Sequence, residues 1–488
     1  MITSPGLSAT HAYRRAEGAA IVAEFLELLT LENVTGDIPA LEANAAELVR
    51  RFTNRGARIR TDQLPGCAPV VVGVLPAERA PQRRYGVYVH YDGQPVDPSE
   101  WASDPFSPIV RNGPHDRGGI VVDLGDGAEV DPDWRIYARG AADDKAPFAA
   151  LLAAVDALAA AGVERTTELV FLFEGQEESG STDLGRYLHR LAPELSADLW
   201  LICDGPVHPS GRPQVVFGVR GYCGFELTVY GPERELHSGH FGNWVPNPAL
   251  ELAQLLATCK DGAGTVLIEG FYESTAPITD ADLEAIALLP AVELQYRDDL
   301  GFAGQEAPRG DYMEHLLRPT FNVRGLKAAS TGGGARNVIP SQAAASVDIR
   351  LAAGNDPAAM LDLVAAHLAL QGYVVLDREP TPHERRTHRR LARMERDIGY
   401  PAARSPIDLP AADAVVAAAA ATGTGDVVRL PTFGGSVPLH DFNEALRAPV
   451  VILPIANYDN NQHAPDENLR IGNLWYGMDL WAGLLTGT

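Results

Sequence analysis

The sequence predicts an α/β protein in which a doubly wound, mostly parallel sheet is interrupted by an inserted α+β domain. Apolar, β-branched runs alternate with helical segments up to about residue 214. Antiparallel-type alternation of apolar and polar residues then takes over, and the α/β pattern returns after about residue 410. A chain of 488 residues is also too long for one simple core. We therefore expect residues 1–214 and 386–488 to form the α/β domain and residues 215–385 to form the insertion.

Helical and extended patterns follow one another in both parts of the α/β domain. Residues 14–30 and 40–55 are amphipathic at the helical period, and residues 146–161 form an Ala-rich helical pattern. Alternation of this kind indicates parallel strands joined by helices. The predicted strands are 69–75, 84–90, 167–173, 199–203, 426–430 and 449–455, and the further predicted helices are 182–190, 411–421 and 472–485.

The predicted insertion opens with residues 213–231, which alternate apolar and polar side chains and are broken by glycines, as in antiparallel strands. The Arg-rich stretch 378–396 near its end is interpreted as a solvated helix that leads back to the α/β domain. Between them we expect a helix at 247–259, a strand at 345–351, a helix at 357–370 and a strand at 372–376.

Composition and charge exclude several classes of protein. The chain has 40 Lys and Arg against 64 Asp and Glu, a formal net charge of −24, which repels phosphate backbones and anionic membranes. We therefore expect no nucleic-acid partner and no membrane partner. Hydrophobic residues make up 46% and charged residues 21%, which is the composition of an ordinary globular protein.

The four cysteines, Cys67, Cys203, Cys223 and Cys259, are far apart and form no CxxC pair. A thiolate zinc site or a disulfide scaffold is therefore not expected. The first residues also lack a basic region followed by an apolar stretch, so we expect no secretory signal. A cytoplasmic location is the prediction that follows.

Histidine and aspartate occur where the predicted strand 84–90 ends. His90 and Asp92 are two residues apart, so both side chains point to the same face of an extended chain. A histidine that binds a metal usually donates its other ring proton to a carboxylate, and this pair fits that arrangement. A surface loop at a strand end explains the same residues equally well.

Two further acidic segments lie beside predicted strands or helices. Asp143 and Asp144 precede the Ala-rich helix; an N-cap explains Asp144, whereas Asp143 next to Lys145 is harder to explain in that way. Glu177 and Glu178 follow a hydrophobic strand, where adjacent carboxylates repel each other unless cations or protons compensate.

Two single residues complete the candidate set. Asp204 ends another buried strand, and His463 lies in a polar loop before the final helix. Open α/β sheets place their sites at the carboxyl ends of strands, where most of these residues are predicted to lie. Mixed His and carboxylate ligands without Cys suit zinc or manganese in a hydrolytic site. Two metals roughly 3.5–4 Å apart would need one bridging carboxylate.

The motifs HYDGQPVDP, WASDPF, DDKAP, FLFEGQEESGS and NYDNNQHAPDE resemble those of the metallopeptidase family that includes carnosinase, bacterial dipeptidases, aminoacylase and glutamate carboxypeptidase. The likeness is greatest to the carnosinase-like dipeptidase branch and spans nearly the whole chain. It implies a catalytic α/β domain interrupted by a lid, which is the insertion 215–385, and a homodimer formed through that lid. It also implies two divalent ions, zinc or alternatively manganese or cobalt.

The same resemblance implies a role for each candidate ligand. His90 and Asp204 would hold one metal, Glu178 and His463 would hold the other, and Asp143 would bridge the two.

Residues around these ligands also receive roles from the resemblance. Glu177 would be the general base, and Asp92 would orient His90. The lid segment LHSGHFGN resembles one whose histidine, here His237, reaches into the partner subunit's site and donates to the oxyanion.

The resemblance also implies three residues that contact the substrate. Asn337 in GGGARNVIP takes a substrate-contacting position, Arg350 in DIRL anchors the substrate carboxylate, and Ser436 in GGSVP assists that anchor. The implied reaction is hydrolysis of the amide bond of a dipeptide or small peptide-like substrate with a free carboxylate. A metal-binding protein without activity is the alternative from another class, and the intact ligand set speaks against it.

One departure from the family pattern concerns the substrate. Phe433 precedes GGSVP, where carnosinase-like dipeptidases usually carry a glutamate that could interact with a free amino group. Asn337 matches the carboxypeptidase and deacylase branches, whereas Asp204 favours the dipeptidase side. An N-acyl amino acid deacylase, or another specialised small-molecule amidohydrolase, is therefore kept as the alternative.

Overall fold

The computed structural model describes residues 4–125, 129–306, 312–423, 425–435 and 437–487. Helices cover the following residues: Pro5–Leu29 (α1), Ile38–Thr53 (α2), Ala146–Ala161 (α3), Leu184–Leu191 (α4), Ser238–Phe241 (α5), Pro248–Cys259 (α6), Asp280–Ala287 (α7), Glu293–Leu300 (α8), Tyr312–Leu316 (α9), Pro357–Leu370 (α10), Pro382–Thr387 (α11), Asp413–Ala421 (α12), Leu439–Leu446 (α13) and Ile471–Thr486 (α14). Within the described ranges, none of them has the length and apolar character that a bilayer crossing requires.

Strands occupy the following residues: Arg58–Asp62 (β1), Val70–Leu75 (β2), Arg83–His90 (β3), Ile109–Arg111 (β4), Val121–Val122 (β5), Arg135–Tyr137 (β6), Thr167–Glu174 (β7), Leu199–Ile202 (β8), Gln214–Val216 (β9), Gly218–Val219 (β10), Gly221–Tyr230 (β11), Leu236–His237 (β12), Asn322–Lys327 (β13), Val338–Ile339 (β14), Gln342–Leu351 (β15), Val374–Leu376 (β16), Leu391–Tyr400 (β17), Ala403–Arg404 (β18), Val428–Leu430 (β19), Val450–Ile452 (β20) and Asn468–Arg470 (β21).

An eight-stranded sheet in the order β1-β2-β7-β3-β8-β20-β9-β19 forms the centre of the α/β domain. Its middle is parallel: β3 pairs with β7 and β8 in the same direction, and β20 pairs in parallel with β8. Antiparallel pairing occurs between β1 and β2, between β2 and β7, and between β9 and β20. The predicted doubly wound, mostly parallel sheet is confirmed, and the carboxyl ends of its central strands share one edge.

Helices cover both faces of this sheet. On one face, Phe52 and Phe148 pack with Phe171 and Phe173 of β7 in a buried aromatic cluster. On the other face, the Trp200 ring lies 4.9 Å from that of Phe442. β3 passes this tryptophan at a glycine because a Cβ at position 86 would lie 2.2 Å from the indole ring. Burial on both faces makes the central strands a rigid frame for whatever their ends carry.

The inserted domain has its own five-stranded sheet in the order β13-β15-β11-β17-β16, with α6 and α10 packed against it. β11 lies between β15 and β17 and pairs antiparallel with both. Buried apolar residues of these elements form a separate core. The predicted α+β insertion with a small core of its own is therefore present.

The predicted end of the insertion at residue 385 is wrong. Residues 391–400 form β17 and pair with β11 in the lid sheet, so the lid extends to about residue 400 and no connecting helix spans 378–396. The arginines of this strand made the segment resemble a solvated helix because they lie on its solvent side. Arg393, for example, pairs with Glu379. Ala392 and Met394, on the same strand, are buried in the lid core. At the other boundary, β9 still belongs to the eight-stranded sheet, and the lid sheet begins with β11.

One part of the insertion returns to the α/β domain. Ile286 of α7, Met313 of α9 and Leu317 are buried in the same cluster as Leu430 of β19. We call residues 279–317 the excursion, of which 307–311 lie outside the described residues. An ion pair of 3.2 Å between its buried Asp282 and Arg404 anchors it further. The excursion is thus a fixed wall of the α/β body, although it lies within the lid in sequence.

A four-stranded antiparallel sheet, β21-β6-β4-β5, adjoins the site. β6 pairs with β21 through Tyr137 and Asn468. The segments 138–145 and 460–467 are the neighbours of these two strands in sequence. The pairing therefore brings together two loops that are more than three hundred residues apart in the chain.

Candidate metal centre

The parallel strands deliver most of the candidate residues to one edge. His90 is the last residue of β3, and Glu177 and Glu178 follow β7 in a short 3-10 turn. Asp204 comes two residues after β8. Because these strands run in parallel as neighbours, their ends bring the side chains together, as expected from the sequence.

Two groups of potential metal ligands form at this edge. In the first, His90 Nε2 lies 2.9 Å from Asp143 Oδ1 and 3.9 Å from Asp204 Oδ2. In the second, His463 Nε2 lies 3.1 Å from Asp143 Oδ2 and 3.1 Å from Glu178 Oε2. The ligand atoms of each group lie within 4.8 Å of one another, which is close enough to surround one ion.

Asp143 belongs to both groups and divides its oxygens between them: Oδ1 faces His90 and Oδ2 faces His463. A carboxylate in this position has the arrangement of a bridging ligand. His90 Nε2 and Glu178 Oε1 are buried and, among the described residues, have no partner in hydrogen-bond geometry. Such unsatisfied nitrogen and oxygen atoms fit a divalent cation, which would complete their coordination.

The charges of the cluster are consistent with this fit. Burial, and then the charge of Asp143, raises the pKa of Asp204 to about 7. Burial also raises the pKa of Glu177 well above its usual value. Although burial opposes it, the neighbouring imidazoles of His463 and His90 hold the pKa of Asp143 below its ordinary value. Several buried carboxylates thus share a site in which only protons or cations can balance their repulsion.

Asp92 supports both the histidine and the glutamate turn. His90 Nδ1 lies 3.2 Å from the Asp92 carbonyl oxygen and 3.4 Å from its carboxylate. The same carboxylate accepts hydrogen bonds from the backbone N–H groups of Glu177 and Glu178, each at 3.1 Å. Asp92 is completely buried, so these contacts fix the ring of His90 relative to the turn.

The Glu177 carboxyl belongs to neither ligand group. The backbone N–H of Glu177 donates to Asp92, and the charges of His90, Asp204 and Glu178 contribute to the pKa of its carboxyl. Glu177 is therefore a buried carboxyl near the two ligand groups but outside both.

The sequence did not suggest a role for Glu467, although this residue organises the site. Its buried carboxylate accepts hydrogen bonds from Arg139 Nη1 at 2.7 Å and from the backbone N–H groups of Gly140, Ala142 and Asp143 at 3.1, 2.8 and 2.9 Å. These bonds tie the segment that carries Asp143 to the segment that carries His463. The available signal was an acidic residue four positions after that histidine, directly before β21.

The loop around His463 is open to solvent. The His463 side chain is 52% exposed, whereas that of His90 is 0% exposed. The His463 backbone has a φ of 61°, in the left-handed region, and Asn461 and Asp466 also have φ values in that region. Gln462 Nε2 donates to Asp143 Oδ2 at 3.2 Å. The second group is thus the accessible side of the cluster.

The lid residues His237 and Asn337 lie together at an exposed edge. β12 pairs with β14, and the backbone N–H of Ser238 donates to the Asn337 carbonyl oxygen at 2.9 Å. His237 Nδ1 accepts from the Gly239 N–H at 3.1 Å, and its ring is 4.7 Å from that of His240. Among the described residues, the contacts of His237 are therefore local to the lid and do not reach the ligand groups.

The other predicted substrate residues have different surroundings. The Arg350 guanidinium lies 5.5 Å from the centre of the Tyr222 ring, and its Nε is 3.7 Å from Asp348 Oδ2. With 39% of its side chain exposed, Arg350 keeps part of its donor set free of these contacts. Ser436 lies outside the described residues.

Comparison with known proteins identifies the family. The model of Peptidase family M20/M25/M40 matches residues 86–487. The chain belongs to this family. The resemblance inferred from the motifs is thereby confirmed, and the protein is an enzyme, a metal-dependent peptidase.

Relatives extend over most of this M20-family chain. The Cys-Gly metallodipeptidase DUG1 of Candida albicans is 28% identical over 436 residues, covering 87% of this chain and 81% of the relative. The human Beta-Ala-His dipeptidase is 25% identical over 457 residues, covering 90% and 83%. The M20 family metallo-carboxypeptidase Sso-CP2 from Sulfolobus solfataricus superposes with a TM-score of 0.75 and 26% identity, covering 96% and 98% of the two chains.

Replacing Glu467 by Gln should weaken metal binding. The amide places an N–H group opposite backbone N–H donors and leaves Arg139 without its buried counter-charge, so the Asp143 loop loses its support. We expect a loss of roughly 10–100-fold in zinc affinity, measured by competition with a chelator. Circular dichroism establishes that the variant is folded.

Glu284→Gln provides the matched control because Glu284 is exposed on α7. It should bind zinc like the unmodified protein. If Glu467→Gln does so too, the positioning role of Glu467 is wrong.

Proposed function

We propose that this enzyme hydrolyses the amide bond of a dipeptide or small peptide-like substrate that bears a free carboxylate. The observation that carries the proposal is the pair of ligand groups that share Asp143. The names of two relatives, a Cys-Gly metallodipeptidase and a Beta-Ala-His dipeptidase, support dipeptides as the substrate class.

The residues proposed to hold two divalent ions are those of the two groups. His90 and Asp204 serve one ion, Glu178 and His463 serve the other, and Asp143 serves both. Zinc is the proposed metal, with manganese or cobalt as alternatives, because the donors are imidazole nitrogens and carboxylate oxygens without a thiolate. When bound, such ions acidify a water molecule and stabilise negative charge on the substrate oxygen.

Glu177 is proposed as the general base. It takes a proton from the attacking water and returns it to the leaving nitrogen, so that the amide bond breaks into a free amine and a carboxylate. Its buried position beside both groups, and the increase in its pKa caused by burial, suit a group that holds a proton between the two steps.

The lid residues His237, Asn337 and Arg350, together with Ser436 of the α/β domain, supply the remaining proposed contacts. His237 donates a hydrogen bond to the developing oxyanion, while Asn337, Arg350 and Ser436 bind the substrate, with Arg350 facing its carboxylate. Since the described contacts of His237 stay within its own lid, we propose that it serves the site of a partner subunit in a homodimer. The strand β13, whose residues are all exposed, lies at the end of the lid sheet and offers an edge for such a dimer.

An N-acyl amino acid deacylase is the second candidate, and Phe433 favours it. The ring lies over the residue after Asp204, since a Cβ at position 205 would be 3.3 Å from Phe433 Cε2. An apolar ring at this position offers no counter-charge to a free amino group.

The cytoplasmic location predicted from the sequence stays a prediction. All four cysteines are free thiols.

Replacing Glu177 by Gln tests the chemistry. We expect turnover to fall by about 10²–10⁴-fold because the amide cannot accept the proton, while metal content stays unchanged. The assay uses zinc-loaded protein with dipeptides and their N-acetylated forms, and metal content is determined by elemental analysis. Glu284→Gln is the control. Full activity in Glu177→Gln would exclude Glu177 as the base, and a preference for acetylated substrates would favour the deacylase.

Mixing two inactive variants tests the shared site. His237→Ala keeps its own Glu177, and Glu177→Gln keeps its own His237, so a mixed dimer contains one complete site. A 1:1 mixture after subunit exchange should recover about a quarter of the activity of the unmodified enzyme. Light scattering reports the oligomeric state. No recovery, although mixed dimers form, would show that His237 acts within its own chain, and an active His237→Ala variant would show that it has no role.

Metal affinity should rise with pH. In the metal-free protein, burial raises the pKa of Asp204 to about 7, and hydrogen bonds to Asp143 and Glu178 raise that of His463 to about 10. Both groups hold protons at pH 6 that a metal must displace, so zinc should bind more weakly at pH 6 than at pH 8. Calorimetry in buffers of different ionisation enthalpy counts the released protons. An affinity independent of pH would contradict the proposed ligands.

A further inference from the structure

A cavity of about 250 Å³ lies near the metal centre. Its inner wall comes from the α/β domain: Pro206 and Val207 follow Asp204, Phe433 follows β19, and Tyr458 follows β20. The Phe433 ring would lie 3.3 Å from a Cβ at position 205, directly after Asp204. The lining therefore begins two residues after a proposed metal ligand.

The outer wall is the excursion. Ala287 at the end of α7, Ala291, Tyr296 of α8 and Tyr312 of α9 line it. Because the excursion is held to the α/β body by its buried apolar residues and by the Asp282–Arg404 ion pair, this wall is built into the fold and does not depend on the position of the lid sheet.

The lining excludes a carboxylate. Among the described lining residues there is no Lys or Arg. The only histidine is His208, whose pKa burial and the nearby Arg212 lower to about 4, so it is neutral at pH 7. An anionic group placed here would lose its hydration without gaining a counter-charge.

The lining suits an apolar, ring-shaped group. Most of the lining is apolar, including Met313 and Phe433, and the rings of Tyr296 and Tyr312 meet edge to face with centroids 5.4 Å apart. The polar members are Gln214, Thr432, His208 and Glu293, and the negative charge of Glu293 also disfavours an anionic group. Burial raises the pKa of both tyrosines, so their hydroxyls stay neutral. A volume of about 250 Å³ accommodates one large side chain rather than a whole dipeptide.

We infer that this cavity receives the apolar side chain or acyl group on the carbonyl side of the scissile amide, and that it selects substrates with an aromatic or large aliphatic group there. The inference rests on the proposed function. The carboxylate of the leaving half needs a cation, which Arg350 offers on the lid and the cavity lacks. The carbonyl half would then lie on the Asp204 side of the site, where Pro206, two residues further on, lines the cavity.

Substrate selectivity gives the first measurement. Dipeptides Gly-Gly, Ala-Gly, Leu-Gly and Phe-Gly share the leaving half and differ only in the group that would enter the cavity. With the zinc-loaded enzyme, kcat/KM should increase by at least about tenfold from Gly-Gly to Phe-Gly. N-acetylated forms of the same compounds keep the comparison valid if a blocked amine is required.

Ala287→Trp fills the cavity from an exposed helix end, where substitution leaves the buried core in place. The ratio of kcat/KM for Phe-Gly to that for Gly-Gly should fall by at least about tenfold in this variant. Ala160→Trp is the matched control because Ala160 is exposed near the end of α3, outside the cavity lining. The ratio should be unchanged there.

Binding without turnover separates this inference from the proposed function. 3-Phenylpropionamide carries the apolar group and a carbonyl but no carboxylate. Calorimetry on zinc-loaded Glu177→Gln should show binding, which is lost when Ala287→Trp is added and kept when Ala160→Trp is added. If this pattern holds while no amide is hydrolysed, the cavity assignment stands and the proposed function fails. If peptides are hydrolysed with a ratio that neither their side chains nor Ala287→Trp affects, the cavity assignment is overturned.

Discussion

The buried carboxylate of Glu467 is the interaction on which the site depends. It accepts hydrogen bonds from Arg139 Nη1 and from three backbone N–H groups, all on buried residues. Separating the two loops would leave all of these groups without partners in a region of low dielectric, which costs more than the hydrogen bonds themselves contribute. Asp143 is therefore held where its two oxygens can face two different histidines.

This arrangement concentrates negative charge at one edge of a very stable frame. The central strands are covered on both faces by aromatic and aliphatic side chains, so their ends keep their positions although the groups they carry repel each other. Asp204 and Glu177, whose pKa values are raised by burial, show the cost of that repulsion. The apolar core and the polar edge thus have opposite effects on stability, and the edge is where the chemistry is proposed to occur.

The part of the site that the sequence predicts is the part that strand geometry determines. His90, Glu178 and Asp204 could be found because parallel strands end together. The role of Glu467 could not, because it rests on contacts more than three hundred positions away in the chain. The strand β17 could not be predicted from the sequence because its solvent-facing arginines resemble those of an exposed helix. The cavity could not be predicted because its outer wall comes from the excursion, which lies within the lid in sequence but packs on the α/β domain.

The excursion also restricts how the lid can move. The chain connects the α/β domain and the lid sheet between β10 and β11, at both ends of the excursion, and between β17 and β18. The strands β10 and β18, which adjoin two of these connections, pair with each other. Arg220 lies between β10 and β11. Its Nη2 donates to the carbonyl oxygens of Arg318, at 2.7 Å, and Arg350, at 3.3 Å. The lid sheet is therefore joined to the α/β domain at several points of the chain, and Arg350, whose carbonyl oxygen accepts from Arg220, lies close to this junction.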